Sequence, residues 1–398
     1  MRRLHALAGA AEQHLPRAAL VAFLLLLANM YLLRVRVLSD VVAGGVVVVA
    51  VMVLLARAED AGFRRSMLGW LAAAAAILLA GALAAAEVTL AEAWMGLHRL
   101  LLVSCFLLFA RALLRGQGAP RVMAMLFAAG AVSAALSVGL HLATAPVLLE
   151  RIEMLGRAWN PIPAAAAVAA AALAGFALLR AGLVPSGWRL PAYAGIGAIL
   201  LAIVLTQSRG PAIGIVLGAA LLMLPRGPAL RLGMVLPPLA FVAASSLVPL
   251  EASLRALFCD GEGLLCRPSL RLPLWQSAVE IIAAHPLWGL GASHRMGEGW
   301  LNNPQNAVLA TAVHFGLPFL LAAMLAFGLL LRRLGQAEPG APQAWAAAMM
   351  VFSGVYFAFE PSPFAFYNAH WVFFWLPVAV ILASPLRAGA QPVLRAGG

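Results

Sequence analysis

From Pro161 to Leu179 the chain reads Pro-Ile-Pro-Ala-Ala-Ala-Ala-Val-Ala-Ala-Ala-Ala-Leu-Ala-Gly-Phe-Ala-Leu-Leu. No side chain in it is charged or can hydrogen-bond. A helix of that length, at about 1.5 Å rise per residue, nearly matches the ~30 Å hydrocarbon core of a bilayer. Comparable runs recur along the whole chain. Of its 398 residues, 64% are hydrophobic and 11% charged, and the mean hydropathy is +0.95. A soluble domain is nearer half apolar and a quarter charged. The composition therefore excludes a soluble globular enzyme and a disordered tail. It predicts an all-α, polytopic membrane protein of about 12 transmembrane helices.

The predicted spans run near Ala18–Leu33, Val41–Ala56, Met67–Ala86, Met95–Leu114, Val122–Thr144, Pro161–Leu179, Leu190–Thr206, Gly210–Leu224, Leu232–Pro249, Ala307–Leu331, Gln343–Phe359 and Phe364–Ala383. Three parts follow: residues 1–249 with the first nine spans, a large extramembrane loop with short interfacial helices over 250–304, and the last three spans with a tail over 305–398. Turn chemistry marks many breaks, as at Pro225-Arg226-Gly227-Pro228 and Pro339-Gly340-Ala341-Pro342. Small residues within the spans suit close helix packing in lipid.

All 27 basic residues are arginines, and the net charge is +12. With the N-terminus in the cytoplasm, the even-numbered loops hold most of them, including Arg57, Arg64, Arg65, Arg111, Arg115, Arg121, Arg332 and Arg333. That is the positive-inside pattern, with both termini cytoplasmic. Arg34 and Arg36 fit it least well. No basic run or aromatic-studded domain lies outside the lipid, so nucleic acid is not an expected partner; arginines anchored at membrane lipids account for the charge. The first span follows a basic N-terminus without a small-residue cleavage site, so it reads as an anchor.

In this topology the large loop faces outward. It holds Cys259 and Cys266. A local disulfide fits an oxidising compartment, and a metal pair fits less well without an adjacent histidine. The carboxylates fall in loops or at span ends, which argues against an ion-coupled transporter. No Asp-x-Asp or carboxylate cluster is present, so metal-free chemistry without a cofactor is expected.

Polar chemistry gathers instead on the outer side. Leu205-Thr206-Gln207-Ser208-Arg209-Gly210-Pro211 is a turn too short to leave the membrane surface. A guanidinium there either snorkels to lipid phosphate or meets an anion such as a diphosphate, with Gln207 and Ser208 adding hydrogen-bonding groups. From Pro273 to Ala284 the spacing predicts a short interfacial helix with Arg271 just before its start. Asn302-Asn303-Pro304-Gln305-Asn306 enters the next span; such amides either cap the helix or line a polar pocket. His294, His314 and His370 lie near the same side, and Tyr367 and Asn368 share the last outer loop.

These pieces, in this order, resemble the O-antigen ligase and O-antigen polymerase family of bacterial envelope glycan enzymes. The matching residues are Ser208-Arg209-Gly210, Arg271 with Trp275, His285-Pro286-Leu287-Trp288-Gly289-Leu290-Gly291, Asn306-Ala307-Val308-Leu309 and Phe315-Gly316-Leu317-Pro318. The resemblance implies a GT-C-type, metal-independent, inverting glycosyltransferase in the bacterial inner membrane, its large loop periplasmic. Its donor would be a glycan on undecaprenyl diphosphate; its acceptor would be lipid A–core for a ligase, or another lipid-linked repeat unit for a polymerase. Arg209 and Arg271 would match the family's diphosphate-binding arginines. Many members have His-Asn where this chain has Gln305-Asn306, which leaves His294 or His314 as candidates for the base. A lipid-linked saccharide flippase is the rival from another class, but it needs a cationic path through the membrane, whereas these arginines sit at the outer rim.

Overall fold

The computed structural model describes residues 2–55, 69, 72, 75–76, 89–144, 151–157, 160–223, 271–291, 294–297, 303–360 and 368–386. The expected span Leu232–Pro249 and the pair Cys259 and Cys266 lie outside the described residues, as does most of the span Met67–Ala86.

Among the described residues the protein is built of helices, with one isolated bridge between Ala337 and Leu386. In chain order these are α1 (Arg2–Tyr31), α2 (Arg36–Leu55), α3 (Leu90–Gln117), α4 (Ala119–Thr144), α5 (Pro161–Arg180), α6 (Arg189–Thr206), α7 (Arg209–Met223), α8 (Arg271–Ala284), α9 (Ala307–Gln336), α10 (Ala341–Ala358) and α11 (Leu376–Ala383). A π-helical turn, Trp371–Trp375, leads into α11. Among the described residues, seven helices are long and apolar enough to cross a membrane: α1 over Glu12–Tyr31, α2, α3 over Trp94–Gln117, α4, α5, α6 with its leading turn, and α9. At 15 residues, α7 spans about 22 Å.

The stretch Pro161–Leu179 forms α5, the buried axis of the bundle. From Ala164 to Gly175 every residue is buried. Alanines let neighbours approach closely: α4 and α6 pack on one side, α7 and α10 on the other. Two bonds of buried aromatic side chains to α5 carbonyls fix its place. Tyr31 Oη donates to Ala167 O at 2.7 Å, and Trp345 Nε1 to Ala170 O at 3.2 Å. The α7–α10 contact depends on small residues too. A Cβ at Gly214 would lie 2.8 Å from the Phe352 ring, and one at Gly218 3.2 Å from Ala348 O of α10 and 2.9 Å from Leu173 of α5. Large apolar side chains on outward helix faces, including Val48, Val204, Val216 and Leu325, are exposed, as suits a surface solvated by lipid.

The bundle has two distinct ends. At one, Arg333 on α9 donates to Ile381 O (3.2 Å) and Leu382 O (2.8 Å), capping the C-terminus of α11 where carbonyls lack helical partners. The charge of Arg111 is also felt there. At the other end a strap, residues 151–157, crosses the ends of α6 and α1 and reaches Ser137, about two turns inside the end of α4. Ile152 N–H donates to Leu205 O (3.1 Å) and Arg157 N–H to Asn29 O (2.8 Å); Leu155 N–H donates to Ser137 Oγ (3.0 Å).

Three departures from expectation bear on the outer-side groups. Helix α2 starts at Arg36, whose exposed neighbour Arg34 lies 3.8 Å from Glu153. Helix α8 begins at Arg271 itself, because Pro273 is tolerated within a first turn. Helix α9 breaks internally at Gly316 (φ 78°, ψ 172°).

Candidate functional site

The α6–α7 turn is as tight as its sequence implies. Helix α6 ends at Thr206, and Gln207 reverses the chain in the left-handed region (φ 54°), its N–H bonding Val204 O at 3.0 Å. The buried Ser208 hydroxyl donates to Thr206 O at 3.3 Å, and Ser208 O accepts from Ala212 N–H to start α7. Arg209 is then the first residue of α7, with an exposed side chain. Gly210 abuts Phe359, just past the end of α10.

The amide cluster before α9 reaches the same place. Asn306 is the N-cap of α9: its Oδ1 accepts from Val308 N–H (3.0 Å) and Leu309 N–H (3.1 Å). Its Nδ2 donates to Ala358 O at 3.3 Å. The side chain is buried and these backbone bonds engage it, so it joins α9 to the end of α10. Gln305 is left-handed (φ 51°), its N–H held by Asn303 Oδ1 at 2.9 Å. Gln207 and Gln305 are the two non-glycine residues with positive φ among the described residues. Both were candidate pocket residues, and such backbone is disfavoured by roughly 1–2 kcal/mol for an L residue.

Helix α8 is tied to this loop through Trp275, whose buried indole N–H donates to Pro304 O at 2.8 Å. Arg271 stands one turn earlier in α8; its side chain lies outside the described residues. The turn at Gln207–Arg209 and the cap at Gln305–Asn306 thus converge around Ala358 and Phe359, and α8 is bonded to the second of them.

Beyond α8, His285–Gly291 docks into the break in α9. Pro318 has no N–H to offer His314 O, and Leu317 N–H turns away to Pro286 O (2.8 Å). The freed carbonyls of Val313 and His314 accept from Leu290 N–H (2.8 Å) and Gly291 N–H (3.1 Å). A Cβ at Gly289 would lie 2.5 Å from Val313 O, and one at Gly316 would collide with Leu287 O. The two glycine-bearing motifs are therefore one backbone interlock. It carries the segment to His294, whose carbonyl lies 3.2 Å from His314 Nε2. His294 Nε2 is buried and has no hydrogen-bond partner among the described residues. The charge of Arg99 on α3 reaches the His314 ring, where Leu97 and Leu100 pack with Phe315 and Phe319. Asn306 therefore meets α10, whereas His314 neighbours α3.

Two residues stand out that composition did not single out. Arg99 lies within a span, and Arg151 Nε donates to Thr206 O at 2.9 Å beside the Arg209 turn. Their only signal was an arginine at the outer end of a run. His370 is buried against the rings of Tyr356, Phe357 and Phe373, beneath the end of α10. Among the described residues no three His, Cys, Asp or Glu group closely enough to hold a metal ion.

Fold and site together define a multi-pass helical membrane protein whose polar turns converge at one end of the bundle. Residues 194–324 match the O-antigen ligase family, a stretch containing the Arg209 turn, α8, the His294–His314 pair and the α9 break. That stretch supports a likeness to the O-antigen ligase family over part of the chain. No curated protein and no solved structure matches it.

Proposed function

We propose that this protein is an envelope glycan ligase: a metal-independent, inverting glycosyltransferase that moves a glycan from undecaprenyl diphosphate to an acceptor such as lipid A–core at the periplasmic face of the inner membrane. The observation that carries this reading is the convergence of the Gln207-Ser208-Arg209 turn and the Gln305-Asn306 cap at one end of the bundle, within the stretch that matches the O-antigen ligase family.

In this reading Arg209 and Arg271 bind the diphosphate. The acceptor hydroxyl attacks the anomeric carbon from the face opposite the carrier. The carbon–oxygen bond to the diphosphate breaks, and its electron pair leaves with the phosphate. Charge grows on the leaving group in the transition state, so guanidinium donors bind it more tightly there than in the ground state. Gln207, Ser208 and Gln305 border the polar pocket, and Asn306 holds the loop against α10. The hydroxyl proton goes to a histidine. Of the two candidates, His294 Nε2 has no hydrogen-bond partner among the described residues, while His314 Nε2 is engaged with the His294 carbonyl. His294 is the base and His314 positions it.

The test is reconstitution of the full chain with an undecaprenyl-diphosphate-linked glycan and candidate acceptors. A shifted lipid A band is the expected result. A glycan ladder on the carrier lipid would make the protein a polymerase, and movement of the donor without a covalent product would make it a transporter. His294→Ala should abolish transfer and His314→Ala reduce it; full activity in both would remove the histidines from the mechanism.

A further inference from the structure

We propose that Arg151 is an additional cation of the diphosphate site, supplied by the strap from outside the matched stretch; the inference rests on the reading of Arg209 given above. Arg151 heads the strap, and its neighbour Ile152 bonds Leu205 O, so the backbone is fixed along the end of α6. Arg151 Nε then holds the Thr206 carbonyl at 2.9 Å, three residues before Arg209. The Ser208 hydroxyl reaches that same carbonyl. One carbonyl thus ties together the strap arginine and the turn that presents Arg209.

The electrostatics of the turn favour an anion. Arg151 sits at the carbonyl end of α6, where a cation is stabilised. Arg209 sits at the amide end of α7, where a cation is disfavoured and an anion welcomed. Two exposed guanidinium groups and a positive helix end therefore gather at one turn. The strap's own carboxylate, Glu153, is directed to Arg34 instead. A guanidinium has five N–H donors, so holding a carbonyl is compatible with binding an oxyanion at the same time. A diphosphate carries two adjacent anionic groups and matches two forked donors.

A residue that merely pins the turn must be separated from one that contributes charge. Arg151→Gln keeps a donor for the Thr206 carbonyl and removes the charge, whereas Arg151→Lys keeps the charge. The full chain in lipid nanodiscs is titrated with undecaprenyl diphosphate at several salt concentrations, and its thermal midpoint is measured alongside. Arg151→Gln should weaken binding about tenfold or more, with a shallower salt dependence and an unchanged midpoint. Arg151→Lys should stay within about threefold of wild type, and Arg157→Gln, further along the strap, should bind normally. Wild-type affinity and salt dependence in Arg151→Gln, with binding lost in Arg209→Ala, would overturn the assignment of Arg151 and leave the diphosphate reading intact. Equal losses in the Gln and Lys variants with a lowered midpoint would reduce Arg151 to a pin and also overturn it. Normal binding in both Arg209→Ala and Arg151→Gln would sink the diphosphate reading itself.

Discussion

At the scale of single residues, the protein stores strain where its pocket is expected. Gln207 and Gln305 both adopt the left-handed backbone that glycine takes without cost. Gln207→Gly should therefore leave the thermal midpoint unchanged or raise stability by up to about 1 kcal/mol, while glycan transfer falls. Unchanged transfer would mean that the glutamine side chain has no part in the site. Arg209 is the opposite case: its side chain is exposed and its removal leaves no cavity. Arg209→Ala should keep the fold but lower kcat by a factor equivalent to roughly 2.7–4 kcal/mol, read in the reconstituted transfer assay. Asn306 is structural in a way that its neighbour Gln305 is not. Asn306→Asp keeps the cap of α9 but sets a carboxylate against Ala358 O, so the midpoint should drop as far as in Asn306→Ala.

At the scale of elements, the break in α9 explains why two distant glycine-bearing motifs occur together. A proline and a left-handed glycine free carbonyls inside the span, and His285–Gly291 supplies the N–H groups that satisfy them. Inside a membrane an unsatisfied carbonyl costs several kcal/mol, so neither motif is stable without the other. Gly316→Ala places a Cβ against Leu287 O at a strained φ and should sharply lower the midpoint and the yield of folded protein. Gly328→Ala in the same helix meets open space and should be neutral or mildly stabilising. Equal effects from the two would show that the interlock does not hold this region together.

At the scale of the whole molecule, the bundle presents one end where Arg333 caps the C-terminus of α11 and another end built on the strap, the Asn306 cap and the tight α6–α7 turn. We take the second to be periplasmic. A cysteine-free background with Arg157→Cys should then react with a membrane-impermeant maleimide in intact cells, whereas Glu338→Cys should react only after permeabilisation. The reverse pattern would invert the protein and put the candidate site in the cytoplasm.

The sequence by itself determined the class of protein. Apolar runs as long as a bilayer is thick have no other stable home, and the buried polyalanine axis at Pro161–Leu179 was already legible in its composition. It also displayed the residues of the candidate site: the Ser208-Arg209-Gly210 turn, Trp275, Asn306 and the glycines around Pro286 and Pro318, because their chemistry is local. What only the tertiary structure decided was which of these meet. Asn306 proved to be bonded to the end of α10, the two glycine motifs proved to be a single interlock, and Arg151 was brought across the bundle to the Thr206 carbonyl. Such partners lie tens of residues apart. No periodicity records them, since they are chosen by helix packing and by the need of each freed backbone group to find a partner away from water.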